Sequence, residues 1–166
     1  MLTLRDATPD DAPAIAAIWN PIIRDTVITF YPLERSAEEI AAMITARQSA
    51  GRAFLVAQEG GSCLGFASYD QFRPGPGNAR SMEHTINLAP EARGKGAGRA
   101  LLLALEDHAR AAGHHLMIAA ISGCNTGSIS FHEALDYIHV GTMPQLGWKF
   151  GRYHDLVLMQ KFLSVG

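Results

Sequence analysis

The strongest constraint on the fold lies where strand-like sequence gives way to helical sequence through Arg93-Gly94-Lys95-Gly96-Ala97-Gly98-Arg99. Upstream, Ser81 to Leu88 reads as a strand. Downstream, Gly98 to Ala112 reads as a helix, with Leu101, Leu105, His108 and Ala112 on one stripe and Gly113 as its stop. Glycines allow a tight turn and close approach of a ligand to the backbone. The free N–H groups of a helix start, together with the helix dipole, favour an anion there. Arg93, Lys95 and Arg99 add positive charge, and the anion this suits is a pyrophosphate. A Walker loop is absent. A dinucleotide fingerprint fails too, because Arg99 or Leu101 stands where its third glycine belongs.

The rest of the chain follows from periodicity. Met1 to Ala7 is a short strand. Thr8-Pro9-Asp10-Asp11 opens a helix carrying Ile15, Ile18 and Trp19, which Pro21 breaks or bends. Ser36-Ala37-Glu38-Glu39 is a capping box for a second helix ending near Gly51. Ala53 to Gln58 and Cys63 to Tyr69 form a hairpin around Gly60-Gly61. Arg73 to Asn78 is a loop. His115 to Ile121 is a buried strand, Thr126 to Leu135 a helix, and Tyr137 to Thr142 and His154 to Lys161 are strands. The order gives one domain over residues 1–166 of the α/β (α+β) class: a mixed, mostly antiparallel sheet of about seven strands flanked by about four helices.

Composition narrows the function classes. The 166 residues carry a net charge of -2 with 48% hydrophobic residues, which gives no footprint for nucleic acid or for an anionic membrane. No apolar run reaches the roughly 20 residues of a spanning helix, and the N-terminus reaches charge at once, unlike a signal peptide. Cys63 and Cys124 are not in a CxxC pair, so a reducing, cytoplasmic setting is expected.

The loop fits [Q/R]-x-x-G-x-[G/A], with Arg93, Gly96 and Gly98 in register, and this resembles the coenzyme A pyrophosphate loop of the GNAT acetyltransferases. From Glu83 to Asp155 the chain resembles their phosphinothricin and methionine sulfoximine acetyltransferase subfamily. The matching stretches are Glu83-His84-Thr85-Ile86-Asn87-Leu88, the loop itself, Asn125 with Ser128, Phe131 to Tyr137, and Gly147-Trp148-Lys149-Phe150-Gly151-Arg152-Tyr153-His154-Asp155. A weaker echo lies at Asn20 and Thr26 to Phe30.

The resemblance implies a GNAT fold, acetyl-CoA as cosubstrate, a small amine as acceptor and a homodimer. It implies that Ile86, Asn87 and Leu88 line the pantetheine arm and that Arg93, Gly94, Lys95, Gly96, Ala97 and Gly98 hold the pyrophosphate. Asn125 and Ser128 would meet the far side of the arm. Glu83 and His132 take the acid–base roles, and Phe30, Phe72, Arg73, Glu83, His84, Thr85 and Lys149 build the acceptor pocket. Arg73 and Lys149 are the candidate partners for an anionic acceptor group.

Acetyl transfer to an amine needs a base for the ammonium, donors for the oxyanion and a proton for the leaving thiolate. Glu83 is the expected base and His132 the runner-up; a backbone N–H near Leu88 suits the oxyanion. The tyrosine acid of many relatives is replaced here by Phe131 and His132, which leaves the acid unassigned. No metal is expected: His132-Glu133 starts like a zinc motif, but Asp136 stands at the second histidine's place. No GxSxG elbow supports a hydrolase. The acceptor expected is the α-amine of a phosphinothricin- or methionine sulfoximine-type amino acid. The alternatives are another amine (a polyamine, an aminoglycoside or a peptide N-terminus) or a non-catalytic acyl-CoA sensor. The chain departs from the subfamily at Asn20-Pro21-Ile22, at Asn87 in place of a tyrosine, and at Asp136 in place of a helix-ending glycine.

Overall fold

The computed structural model describes residues 1–164. The strands are β1 Thr3–Asp6, β2 Phe54–Glu59, β3 Ser62–Gln71, β4 Ser81–Leu88, β5 Leu116–Ser122, β6 Ile138–Lys149 and β7 Arg152–Phe162. The helices are α1 Ala12–Asp25, α2 Ala37–Ser49, α3 Ala97–Ala111 and α4 Thr126–Ala134. The strands form one seven-stranded sheet in the order β1-β2-β3-β4-β5-β7-β6. Every neighbouring pair is antiparallel except β4 and β5.

Strands β2 and β3 are covered on both faces, which explains their near-continuous apolar sequence. On β2, Phe54 and Val56 join Ile15, Trp19, Ile40, Ile44 and Phe66 in a core under α1 and α2. The alternate residues Leu55 and Ala57 join Tyr69, Met82, Leu101, Leu105 and Met117 under α3. Ser36 caps α2 by accepting from the Glu39 N–H at 3.1 Å.

Two expectations need correction. Pro21 does not break α1, which continues to Asp25. The carbonyl that Pro21 leaves unbonded belongs to Ala17, and both residues lie on the exposed face where water can replace the lost bond. The strand expected to end at Thr142 runs on to Lys149, and its partner begins at Arg152 rather than His154. Pro144 is tolerated because β6 is the sheet edge and its register shifts between Met143 and Gly147. Gln145 there has φ 58, and its N–H donates to Asp155 Oδ1 at 2.9 Å.

Candidate functional site

The parallel pair β4 and β5 is joined over a short stretch, Ser81–Glu83 against Leu116–Ile118. Beyond it the strands separate. β4 continues to Leu88 paired with β3 alone, and β5 to Ser122 paired with β7 alone. The backbone groups of the far half of β4 that turn away from β3 therefore face an open wedge, a row of donors and acceptors awaiting an extended partner. The wedge belongs to a cavity of about 400 Å³ lined by Glu83 through Asn87, Ala119 through Ser122, Asn125, Ser128 and His132, with Trp19, Ile28, Thr29, Phe30, Arg35, Leu146 and Leu156 from the flanks.

At one mouth of the wedge stands the glycine-rich loop. Gly96 is the N-cap of α3 in left-handed geometry, φ 76, where a β-carbon would be strained. Among the described residues, no backbone acceptor meets the N–H groups of Ala97, Gly98 and Arg99; Ala100 is the first to bond, to Gly96 O at 3.0 Å. Arg93 and Arg99 are exposed and make no ion pair with the described residues. Lys95 is turned to Glu59, Nζ to Oε2 2.6 Å, and holds that carboxyl below the usual carboxylate range. The pair lies at the surface, where water screens it, so it can yield to a more strongly charged anion.

At the vertex of the wedge sit two histidines. His84 Nδ1 donates to Ile118 O at 3.1 Å, His132 Nδ1 donates to Ser128 O at 2.7 Å, and the two Nε2 atoms face each other at 3.0 Å. Carbonyl oxygens only accept, so both Nδ1 atoms carry protons. Two neutral rings supply two protons for three contacts, so one contact stands without a proton while both rings are neutral. Burial opposes charge on either ring: it pushes the His84 imidazolium down to about 3, with the neighbouring ring adding to the shift, and the His132 imidazolium down as well. The buried pair therefore disfavours an imidazolium near neutrality. The Tyr137 ring meets His132 edge-on at 5.1 Å and is fixed by its hydroxyl's 3.0 Å bond to buried Glu106.

Glu83 is half-buried beside this pair, at the end of the β4–β5 ladder. Burial raises its carboxyl above the ordinary range, with Arg47 of α2 opposing the shift. A carboxylate moved toward neutrality is a better acceptor for an ammonium proton than an ordinary one. Asn125 caps α4, its Oδ1 accepting from Ser128 N–H at 3.3 Å, and both side chains line the cavity.

The structure thus brings Glu83, His84, Thr85, Ile86, Asn87, Asn125, Ser128, His132 and Phe30 to one cavity, with the Arg93–Gly98 loop beyond the end of β4. It separates three expected acceptor contacts from it. Phe72 and Arg73 follow the end of β3, outside the cavity lining, because the Pro74-Gly75-Pro76 turn carries the chain into solvent. Lys149 is 4% exposed and points the other way: Nζ donates to the carbonyls of Ile23, Thr26 and Thr29 at 2.6, 2.7 and 2.8 Å. It fastens the segment that brings Ile28, Thr29 and Phe30 to the cavity. His84 lines the cavity, but its two nitrogens are already engaged.

The Gly147–Asp155 block proves to be the frame of that segment. A β-carbon at Gly147 would lie within 2.6 Å of Phe30 Cε2, so only glycine lets the ring seat there. Phe30 stacks on His154 at 5.7 Å, whose Nε2 donates to Lys149 O at 2.9 Å. Sequence reasoning missed Arg35, Trp19 and Leu146 as cavity residues. They come from elements remote in the chain, and no local pattern marks them.

With this geometry in hand, comparisons with known proteins are informative. The model of the acetyltransferase (GNAT) family matches residues 19–137. The chain is similar to an L-methionine sulfoximine/L-methionine sulfone acetyltransferase of Pseudomonas paraeruginosa, 40% identical over 95% of this chain and 92% of that one. It is similar to a phosphinothricin N-acetyltransferase of Alcaligenes faecalis, 34% identical over 99% of this chain and 84% of that one. Among solved structures, a phosphinothricin acetyltransferase from Sinorhizobium meliloti in complex with acetyl-CoA superposes with a TM-score of 0.94, at 36% identity over 99% of this chain and 90% of that one.

Proposed function

The chain belongs to the acetyltransferase (GNAT) family, with acetyl-CoA as its cosubstrate, and from that premise we propose that it acetylates the α-amine of a small amino-acid analogue of the methionine sulfoximine, methionine sulfone or phosphinothricin type. One observation supports the reading most: the open β4 edge and a half-buried carboxylate share one cavity, and the orphaned amides of α3 follow beyond the end of that strand. Acetyl-CoA supplies the activated acyl group when bound. Ile86, Asn87 and Leu88 offer β4 backbone to its arm, Arg93 to Gly98 offer amides and charge to its pyrophosphate, and Asn125 and Ser128 bound the arm's other side.

Glu83 accepts the ammonium proton, directly or through one water, and so frees the amine to attack. The N–H groups of the unpaired β4 edge near Leu88 are the donors for charge gathering on the acyl oxygen. His132, at the vertex of the wedge, is the second candidate acid–base group. Phe30 and Thr85 shape the acceptor end.

We further propose that two copies pair through the apolar surface of the β6–β7 hairpin. Trp148, Phe150 and Tyr153 are about 58–60% exposed there, beside a groove formed with Pro32 and Leu33. Sedimentation at micromolar concentration tests this, with a monomer as the opposing result. Two unpaired cysteines suit a cytoplasmic setting. No described helix is long and apolar enough to cross a membrane.

The test is release of free thiol from acetyl-CoA with methionine sulfone, methionine sulfoximine and phosphinothricin as acceptors. Turnover is expected with at least one. Acetyl-CoA binding without turnover on any of the three would remove this acceptor class.

A further inference from the structure

Arg35 enters the cavity from the segment between α1 and α2, and its surroundings are those of a binding group without a ligand. Its guanidinium lies 4.5 Å from the Trp19 ring centre and 4.3 Å from that of Tyr31, held between two aromatic faces. Stacking of this kind occupies the faces of the fork and leaves its N–H edge directed outward. The backbone is pinned as well: Asn20 donates from Nδ2 to Arg35 O at 2.9 Å and accepts from the Arg35 N–H at 2.8 Å. Yet Arg35 Nε is buried with no hydrogen-bond partner, and no carboxylate among the described residues pairs with the guanidinium. The adjacent acid, Glu34, is paired instead with Arg24 at 3.4 Å. An arginine that lines a cavity, pairs with no carboxylate and is fixed at both ends is placed to meet an anion from outside the chain.

The same cavity carries Glu83, and no ion pair joins it to Arg35. One wall thus offers an anion and another a cation, kept apart. That is the complement of a zwitterion, with an ammonium for Glu83 and an oxyanion for Arg35. The two cationic groups expected to meet an acceptor anion, Arg73 and Lys149, are respectively outside the cavity and saturated by carbonyls. Arg47, which opposes Glu83 from α2, also repels Arg35.

We propose that Arg35 binds the α-carboxylate of the acceptor and thereby makes the enzyme selective for amino acids over simple amines, with Asn20, Trp19 and Tyr31 as its positioning residues. The inference rests on the amino-acid reading above. Arg35 reaches the carboxylate as a fork of N–H donors, and Glu83 takes the neighbouring ammonium.

The experiment compares two acceptors that differ by that one group, methionine sulfone and 3-(methylsulfonyl)propylamine, by thiol release from acetyl-CoA. Wild type should favour the amino acid in kcat/KM by about 100-fold, the scale of a desolvated charge-assisted contact. In Arg35→Gln the ratio should fall to within about threefold of unity, the loss appearing in acceptor KM. Arg35→Lys, which keeps the charge but loses the fork, should fall between. A merely structural arginine would depress both acceptors together and leave the ratio standing, which would overturn the proposal. So would a wild type that shows no preference between them. Wild type that turns over neither acceptor would instead defeat the amino-acid reading itself, and the carboxylate contact with it.

Discussion

Lys149 offers a quantitative test of how the acceptor end is held together. Lys149→Met keeps the length of the stem and removes three charge-assisted bonds, to the carbonyls of Ile23, Thr26 and Thr29. Each orphaned, buried carbonyl costs on the order of 1–3 kcal/mol. Relief of the ammonium's own desolvation, which lowers the Lys149 pKa in the folded protein, and water entry at the exposed rim offset part of that. A net loss of about 3 kcal/mol is expected, a fall in Tm of roughly 6–12 °C for a chain of this size. Because the released segment carries Ile28, Thr29 and Phe30 into the cavity, acceptor KM should rise by about tenfold while acetyl-CoA binding holds. Differential scanning fluorimetry with urea titration gives the first quantity, and thiol release at saturating acetyl-CoA the second. A variant within about 0.5 kcal/mol of wild type would show that the three short contacts carry no net stability and would refute the clamp.

Further outcomes follow from the same geometry. Glu83→Gln should lower kcat by about 10²–10⁴-fold with acetyl-CoA affinity kept, and should erase the acidic limb of the pH–kcat/KM profile. In wild type that limb should lie above the usual carboxylate range, because burial raises the Glu83 carboxyl and the base works only when ionised. Nitrogen-15 NMR of the imidazoles near neutrality should find His84 and His132 both neutral, because burial lowers both; an imidazolium on either would contradict this. Gly147→Ala should displace Phe30 and raise acceptor KM, and a crystal structure with the ring unmoved would contradict this. Asp136→Gly should stabilise the fold by about 1 kcal/mol in urea melts, because Asp136 ends α4 at φ 72.

Much of the site was legible in the sequence because its parts are local. Gly94 to Gly98 lie in one turn, and Asn125 caps the helix that carries Ser128 and His132, so strand-to-helix spacing places each of them. The strand Ser81–Leu88 was likewise marked by its own alternation and by turn residues at both ends. The acceptor end was legible only at Phe30, Glu83, His84 and Thr85, through the resemblance; Trp19, Arg35 and Leu146 reach it from elements far apart in the chain. The carbonyl cage around Lys149 was hidden for a related reason. A charge in a resembling block reads as a ligand contact until the direction of its side chain is known, and a three-carbonyl cage leaves no trace in the spacing of Ile23, Thr26 and Thr29. Asn20 likewise gave no sign that it brackets the backbone of Arg35.

The central claim is that this cavity transfers acetyl from acetyl-CoA to an amino-acid α-amine with Glu83 as base. Single-turnover thiol release with methionine sulfone, run on wild type and Glu83→Gln after calorimetry has matched their acetyl-CoA affinities, tests it most directly. The account predicts rapid release and N-acetylmethionine sulfone from wild type, and release slowed by about 10²-fold or more in the variant. Equal rates for the two proteins would contradict it.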